Sequence, residues 1–164
     1  MKKPIVFLTI AAITMSAYAA DERDASRIVK KYSEAVACQL EGISEYQKNQ
    51  YKAVKIYPGE ADLGGMGAQF VVYWEGDVGC AGGNGTIVPN FTVVEHRGFM
   101  SAAPVVVPDI KFPDMELVRL TSMSGKNGQL IIKGVTYGPK DQQHAPTKIV
   151  SYTLKFVDNQ FVKQ

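Results

Sequence analysis

Ala68-Gln69-Phe70-Val71-Val72-Tyr73-Trp74 is the stretch whose reading decides the fold. Its residues alternate at a period of two, the signature of a β-strand. Phe70, Val72 and Trp74 share one face, and Gln69, Val71 and Tyr73 share the other. The strand runs into Glu75-Gly76-Asp77-Val78-Gly79-Cys80-Ala81-Gly82-Gly83-Asn84-Gly85-Thr86, which is dense in glycine and holds one of the chain's two cysteines.

On either side the chain reads as further strands and turns. Tyr51 to Tyr57 is a strand closed by Pro58-Gly59, and 60–67 is a glycine-rich loop. Thr86 to His96 and Met100 to Val107 follow, the second marked as an edge or irregular strand by Pro104 and Pro108. Glu116 to Met123 and Gln129 to Tyr137 flank Ser124-Gly125-Lys126-Asn127-Gly128, whose Asn-Gly predicts a hairpin. Residues 138–147 form a polar loop. In 149–157, Val150, Tyr152, Leu154 and Phe156 alternate with Ser151, Thr153, Lys155 and Val157, and Asp158-Asn159 turns the chain back to Phe161-Val162.

Upstream, Asp21 to about Ala37 predicts the one substantial helix, with Asp24 or Ser26 as its cap. Val29, Tyr32 and Val36 line its apolar face. Its end is open to two readings. Leu40 and Ile43 extend the same face past Cys38, whereas Val36, Cys38 and Leu40 also alternate as an extended chain does. The shorter helix is preferred. Together these segments predict an α+β fold: the N-terminal amphipathic helix packed on an antiparallel meander of about six or seven strands. An all-β barrel with a helical lid is the alternative.

The first 19 residues read as a secretory signal: Lys2 and Lys3, an apolar run from Ile5, and an Ala17-Tyr18-Ala19 cleavage pattern. The apolar run is too short for a membrane span. Residues 20–164 are then a single exported domain, periplasmic or secreted. The whole chain has 18 Lys+Arg against 16 Asp+Glu; without Lys2 and Lys3 the count is 16 of each. A neutral chain argues against nucleic acid and against simple electrostatic attraction to a membrane.

Two cysteines in an exported chain most simply pair, so Cys38 and Cys80 are read as a disulfide. The rival is a reactive Cys80 thiol with His96 or His144 as base, but no helix follows Cys80 to lower its pKa. The glycines fail the phosphate-binding patterns. There is no P-loop lysine, and Val88 stands where a dinucleotide fingerprint needs its last glycine. A calcium nonapeptide would need an acid at Thr86. Glu75 and Asp77 are candidate acid–base partners, yet such pairs are most often solvated turn residues. His96, beside Glu95 and Arg97, reads as a surface residue, and neither histidine has zinc-ligand spacing. No cofactor and no metal is expected.

At Asp77-Val78-Gly79-Cys80-Ala81-Gly82-Gly83-Asn84-Gly85-Thr86 the chain resembles a group of small, uncharacterised exported proteins of Gram-negative bacteria with a D-x-G-C-x-G-G-S-G-T-like stretch. Asn84 stands in the serine position. Asp141 to Thr147 resembles a later cysteine-rich segment of that group with its cysteines absent. The resemblance supports a Cys38–Cys80 bridge and implies no activity.

The functional expectation is a non-enzymatic module that binds another protein of the cell envelope, such as an inhibitor or immunity protein. Its expected surface is Trp74, Glu75, Asp77, Gly82, Gly83, Asn84 and Thr86, with the tryptophan as an aromatic anchor. A structural accessory of an envelope secretion or conjugation machine is one alternative. A periplasmic hydrolase using Glu75, Asp77 or Cys80 is another.

Overall fold

A strand with apolar side chains on both faces must be covered on both, and that requirement organises the molecule. The structure, a computed structural model, describes residues 20–42, 48–83, 85–98, 102–142 and 145–164. The predicted signal at 1–19 lies outside them. In chain order the described elements are helix α1 (Glu22–Val36), strands β1 (Gln39–Leu40) and β2 (Ala53–Tyr57), a short 3-10 turn (Ala61–Leu63), then β3 (Gln69–Asp77), β4 (Val88–Glu95), β5 (Val105–Val107), β6 (Arg119–Lys126), β7 (Gln129–Thr136), β8 (Lys148–Val157) and β9 (Gln160–Lys163).

The strands form two antiparallel sheets. In the first, β4 lies on one side of β3, and β1 and β2 share the other side; β5 pairs with β4. The β3–β4 register runs from Gln69 opposite Glu95 to Gly76 opposite Val88. The second sheet is a meander in the order β6-β7-β8-β9. The expected single meander of six or seven strands is thus corrected to nine strands in two sheets among the described residues, a β-sandwich with a helix on one side.

The reason lies in β3. Phe70, Val72 and Trp74 pack beneath α1 with Ala25, Val29 and Val94. Val71 and Tyr73, on the opposite face, join Ile56, Val93, Leu120, Met123, Leu130, Ile132, Leu154 and Phe161 between the sheets. One helix covers only one face. Burying a side chain of this size contributes about 1.5–3 kcal/mol, so a single sheet would forgo several such terms on the other face. Aromatic rings knit the inter-sheet core. Phe91, Phe112 and Phe161 follow one another with ring centroids 5.4 and 4.6 Å apart, and Phe156 lies 5.1 Å from Phe161.

Local chemistry sets the element ends. Asp21, not Asp24 or Ser26, caps α1: its carboxylate accepts from the amides of Arg23 (2.8 Å) and Asp24 (3.0 Å), and the Asp24 side chain accepts from the Asp21 amide. This reciprocal box satisfies amides that the first helical turn leaves free. The helix stops at Val36, and Ala37 is extended. The shorter reading is therefore the right one, with Cys38 just beyond the end and the Cys38 amide donating to the Asp77 carbonyl at 2.9 Å. The β6–β7 connection is tighter than the five-residue spacer expected. Ser124, Gly125 and Lys126 belong to β6, and the turn is Asn127-Gly128, both with positive φ. That conformation matches the twist of the flanking strands.

Candidate functional site

The glycine-rich stretch is the connection from β3 to β4, residues 78–87. It is held on several sides. The disulfide Cys38–Cys80 joins it to the end of α1, with the Cα atoms 5.3 Å apart. Asp77, the last residue of β3, turns its carboxylate back into the loop and accepts from the amides of Gly82 (3.1 Å) and Ala81 (3.4 Å). The Thr86 hydroxyl donates to the Gly83 carbonyl at 3.1 Å. Cys80 sits in the left-handed region at φ 52°, where a residue with a side chain is uncommon, and the bridge fixes it there. Gly83, at φ 119°, adopts a backbone that side chains rarely tolerate.

The electrostatics follow from those bonds. The amide of Gly82, and then that of Ala81, holds the Asp77 carboxyl below its ordinary value of 3.8. Backbone amides converging in such a loop are what a phosphate would bind. Here the chain's own carboxylate occupies two of them, a physical reason for the failed phosphate-binding patterns.

The expected site residues separate into two groups. Gly82 and Gly83 are exposed and Thr86 is half-buried on the loop; Asn84 lies outside the described residues. Trp74 and Glu75 are core residues. Trp74 is 2 % exposed, packs under α1, and donates its indole N–H to the Thr92 hydroxyl at 2.9 Å. The expectation of an aromatic anchor on the surface is corrected: Trp74 faces the helix, not solvent. What flanks the loop outside is Val78 and Val88, each 47 % exposed.

Glu75 is buried and accepts a short hydrogen bond from the Tyr73 hydroxyl. That hydroxyl in turn accepts from the Leu120 amide at 3.3 Å, so the pair reaches from the first sheet to the second. Burial, and next the charge of Glu75, pushes ionisation of Tyr73 far above its ordinary 10.0. Gln50 brackets the backbone of Glu75, its carbonyl oxygen accepting from the amide at 2.9 Å and its NH₂ donating to the carbonyl at 3.2 Å. Glu75 is thus bonded to the Tyr73 hydroxyl, and Asp77 to loop amides.

His96 is also corrected. It is fully buried, and neither ring nitrogen has a hydrogen-bonding partner among the described residues. The strand alternation carried the signal: Val94 faces the helix-side core, and His96 is two residues on. His144 lies outside the described residues. Among the described residues, no three His, Cys, Asp or Glu side chains come together to hold a metal ion.

A cleft of about 580 Å³ opens between the sheets at the far end of β3, where Gln69, Glu95, Arg97 and Asp109 meet Met66 and Phe156. Glu95 and Arg97, two residues apart on its lining, pair at 2.7 Å. Its residues come from separate segments, so no local pattern in the sequence announces it. Comparison of the chain with protein-family models, with curated proteins and with solved structures finds no match.

Proposed function

We propose that this chain is an exported, non-enzymatic protein-binding module of the cell envelope, acting as an inhibitor or immunity protein does. The observation that carries the reading is the state of the 78–87 loop. It is exposed over Val78 to Gly83, yet fastened by a disulfide, by Asp77 and by Thr86. A loop fixed before binding loses little conformational entropy when a partner docks. Its outer side presents backbone, Val78 and Val88, a surface suited to close approach by another protein.

Several features support export. The disulfide belongs in an oxidising compartment, and the first 19 residues have the order of a signal peptide. Among the described residues no helix is long and apolar enough to cross a membrane. The test places a photo-crosslinking residue at Val78, at Val88 and, as a control, at Val105, which is exposed and pairs with Glu95 at the other end of β4 from Val88. A single discrete adduct from Val78 and Val88, lost in Asp77→Ala, is the expected result. Equal adducts at all three positions, or adducts indifferent to Asp77→Ala, would sink the loop as the docking site.

A further inference from the structure

The second sheet carries charge of one sign. Arg119, Lys126, Lys133, Lys148, Lys155 and Lys163 lie in β6–β9, and those strands contain no Asp or Glu. In a chain with 18 basic and 16 acidic residues this is a marked segregation. The nearby acids Glu116, Asp141 and Asp158 sit in connections.

The register shows where the cations point. Leu130, Ile132 and Leu154 face the core, so the alternate residues face outward. Lys126, Gln129, Lys155 and Val162 form one transverse row of that outer face. Lys133 lies between Ser122 and Ser151 two rows on, and Arg119, Val135 and Ile149 form the row after it. Lys126, Lys133 and Lys155 are exposed, and Arg119 is half-buried. None of the four makes an ion pair within the described residues. From strand spacing, Lys126 and Lys155 stand about 10 Å apart and Lys133 about 14 Å from either. Each charge is thus about a Debye length from the next and is individually solvated.

We infer that this outer face is a docking surface for an acidic protein. The charge selects an anionic partner, because a low-relief face of one sign steers and orients complementary charge. The rest of the face selects the class. Ile149 is 81 % exposed, with Val135 beside it and Ile131 two rows away, among serine and threonine hydroxyls. Apolar contacts within a polar, charged surround are the make-up of a protein interface. Within these rows no aromatic side chain projects outward, as Tyr152, Phe156 and Phe161 pack against the inter-sheet core; Tyr137, 45 % exposed, lies just past the end of β7. A sugar chain would offer exposed Ile149 and half-buried Val135 no apolar complement, and a bilayer surface would favour a belt of interfacial Trp or Tyr, more than that single tyrosine. The inference stands on a different surface from the 78–87 loop and does not depend on it.

The test is a titration of the ¹⁵N-labelled protein with poly-L-glutamate at low salt, followed by amide chemical shifts. Shifts confined to β6, β7 and β8, abolished by added salt, are expected, with the loop amides at 78–83 unmoved. Lys133→Glu with Lys155→Glu should weaken binding by at least about tenfold while leaving the unfolding midpoint in place, because both side chains are exposed. Lys133→Arg with Lys155→Arg should bind as the wild type does. An absence of shifts, shifts on another face, or undiminished binding by the charge-reversed variant would overturn the inference. So would binding to dextran sulfate or to phosphatidylglycerol vesicles without binding to polyglutamate, which would assign the face to a polysaccharide or a membrane.

Discussion

Removing the Cys38–Cys80 bridge gives a clean measure of what the loop attachment contributes. Both residues are exposed, so Cys38→Ala with Cys80→Ala leaves no cavity and deletes little packing. The cross-link spans 42 residues. In the chain-entropy treatment, opening a loop of that length returns about 13 cal/mol/K to the unfolded chain, or about 4 kcal/mol at 25 °C. For a chain of this size that corresponds to a fall in Tm of roughly 8–16 °C. The effect acts on the unfolded ensemble, so it carries a second signature. The unfolded variant is more expanded and exposes more surface, and its urea m-value should rise. Equilibrium urea unfolding of the wild type and the double alanine variant, followed by tryptophan fluorescence, measures both. Trp74 is the sole tryptophan and is buried beneath α1, so its emission reports the helix-side core. A loss below about 1 kcal/mol with an unchanged m-value would refute the reasoning. It would mean that the unfolded chain already holds residues 38 and 80 together.

Three further outcomes follow from the buried polar groups. Tyr73→Phe removes the donor to buried Glu75 and the acceptor of the Leu120 amide; a loss of about 2–4 kcal/mol in urea unfolding is expected, and a loss under about 0.5 kcal/mol would show the network to be dispensable. Asp77 titrates below its ordinary value when folded, so it favours the folded state above that value, and the contribution is lost as pH falls through its folded pKa. The midpoint of the wild type should therefore drop more steeply than that of Asp77→Asn below about pH 4, with a residual slope from Asp21 and Asp141, which are also lowered; parallel curves would contradict the assignment. His96→Leu exchanges a buried ring with no hydrogen-bonding partner among the described residues for an apolar side chain of similar size, and a gain of about 1 kcal/mol is expected; a loss of that size would show that the imidazole is satisfied.

Much of the fold was legible because local physics dictates it. The alternation of Val150, Tyr152, Leu154 and Phe156 places them against the inter-sheet core, as read. Val29, buried, and Tyr32 and Val36, half-buried, line the helix-side core. The cysteine pairing was legible from the count alone. The division into two sheets was not. It depends on which strands stop pairing, and residues 108–118, where the chain passes from one sheet to the other, look like any irregular connection. The choice of β3 as partner for both β1 and β2 is likewise non-local. At the site, an aromatic beside an exposed loop suggests an anchor, whereas the alternation of Trp74 with Phe70 and Val72 puts it inside. By residue type alone, Glu75 and His96 suggest a solvated turn residue and a surface residue. Their positions along buried strands override that type: Glu75 is admitted to the interior by the Tyr73 hydroxyl, which lies two residues before it on the same face.

β3 is a wall common to two rooms. Phe70, Val72 and Trp74 close one core and Val71 and Tyr73 the other, and all five are at most 2 % exposed. Neither core can come apart at this strand without uncovering surface that the other uses. The helix and the second sheet touch opposite sides of it, yet their fates are joined through it. Opening should accordingly be all-or-none at β3, and its central amides should exchange with solvent only through global unfolding, the slowest in the molecule.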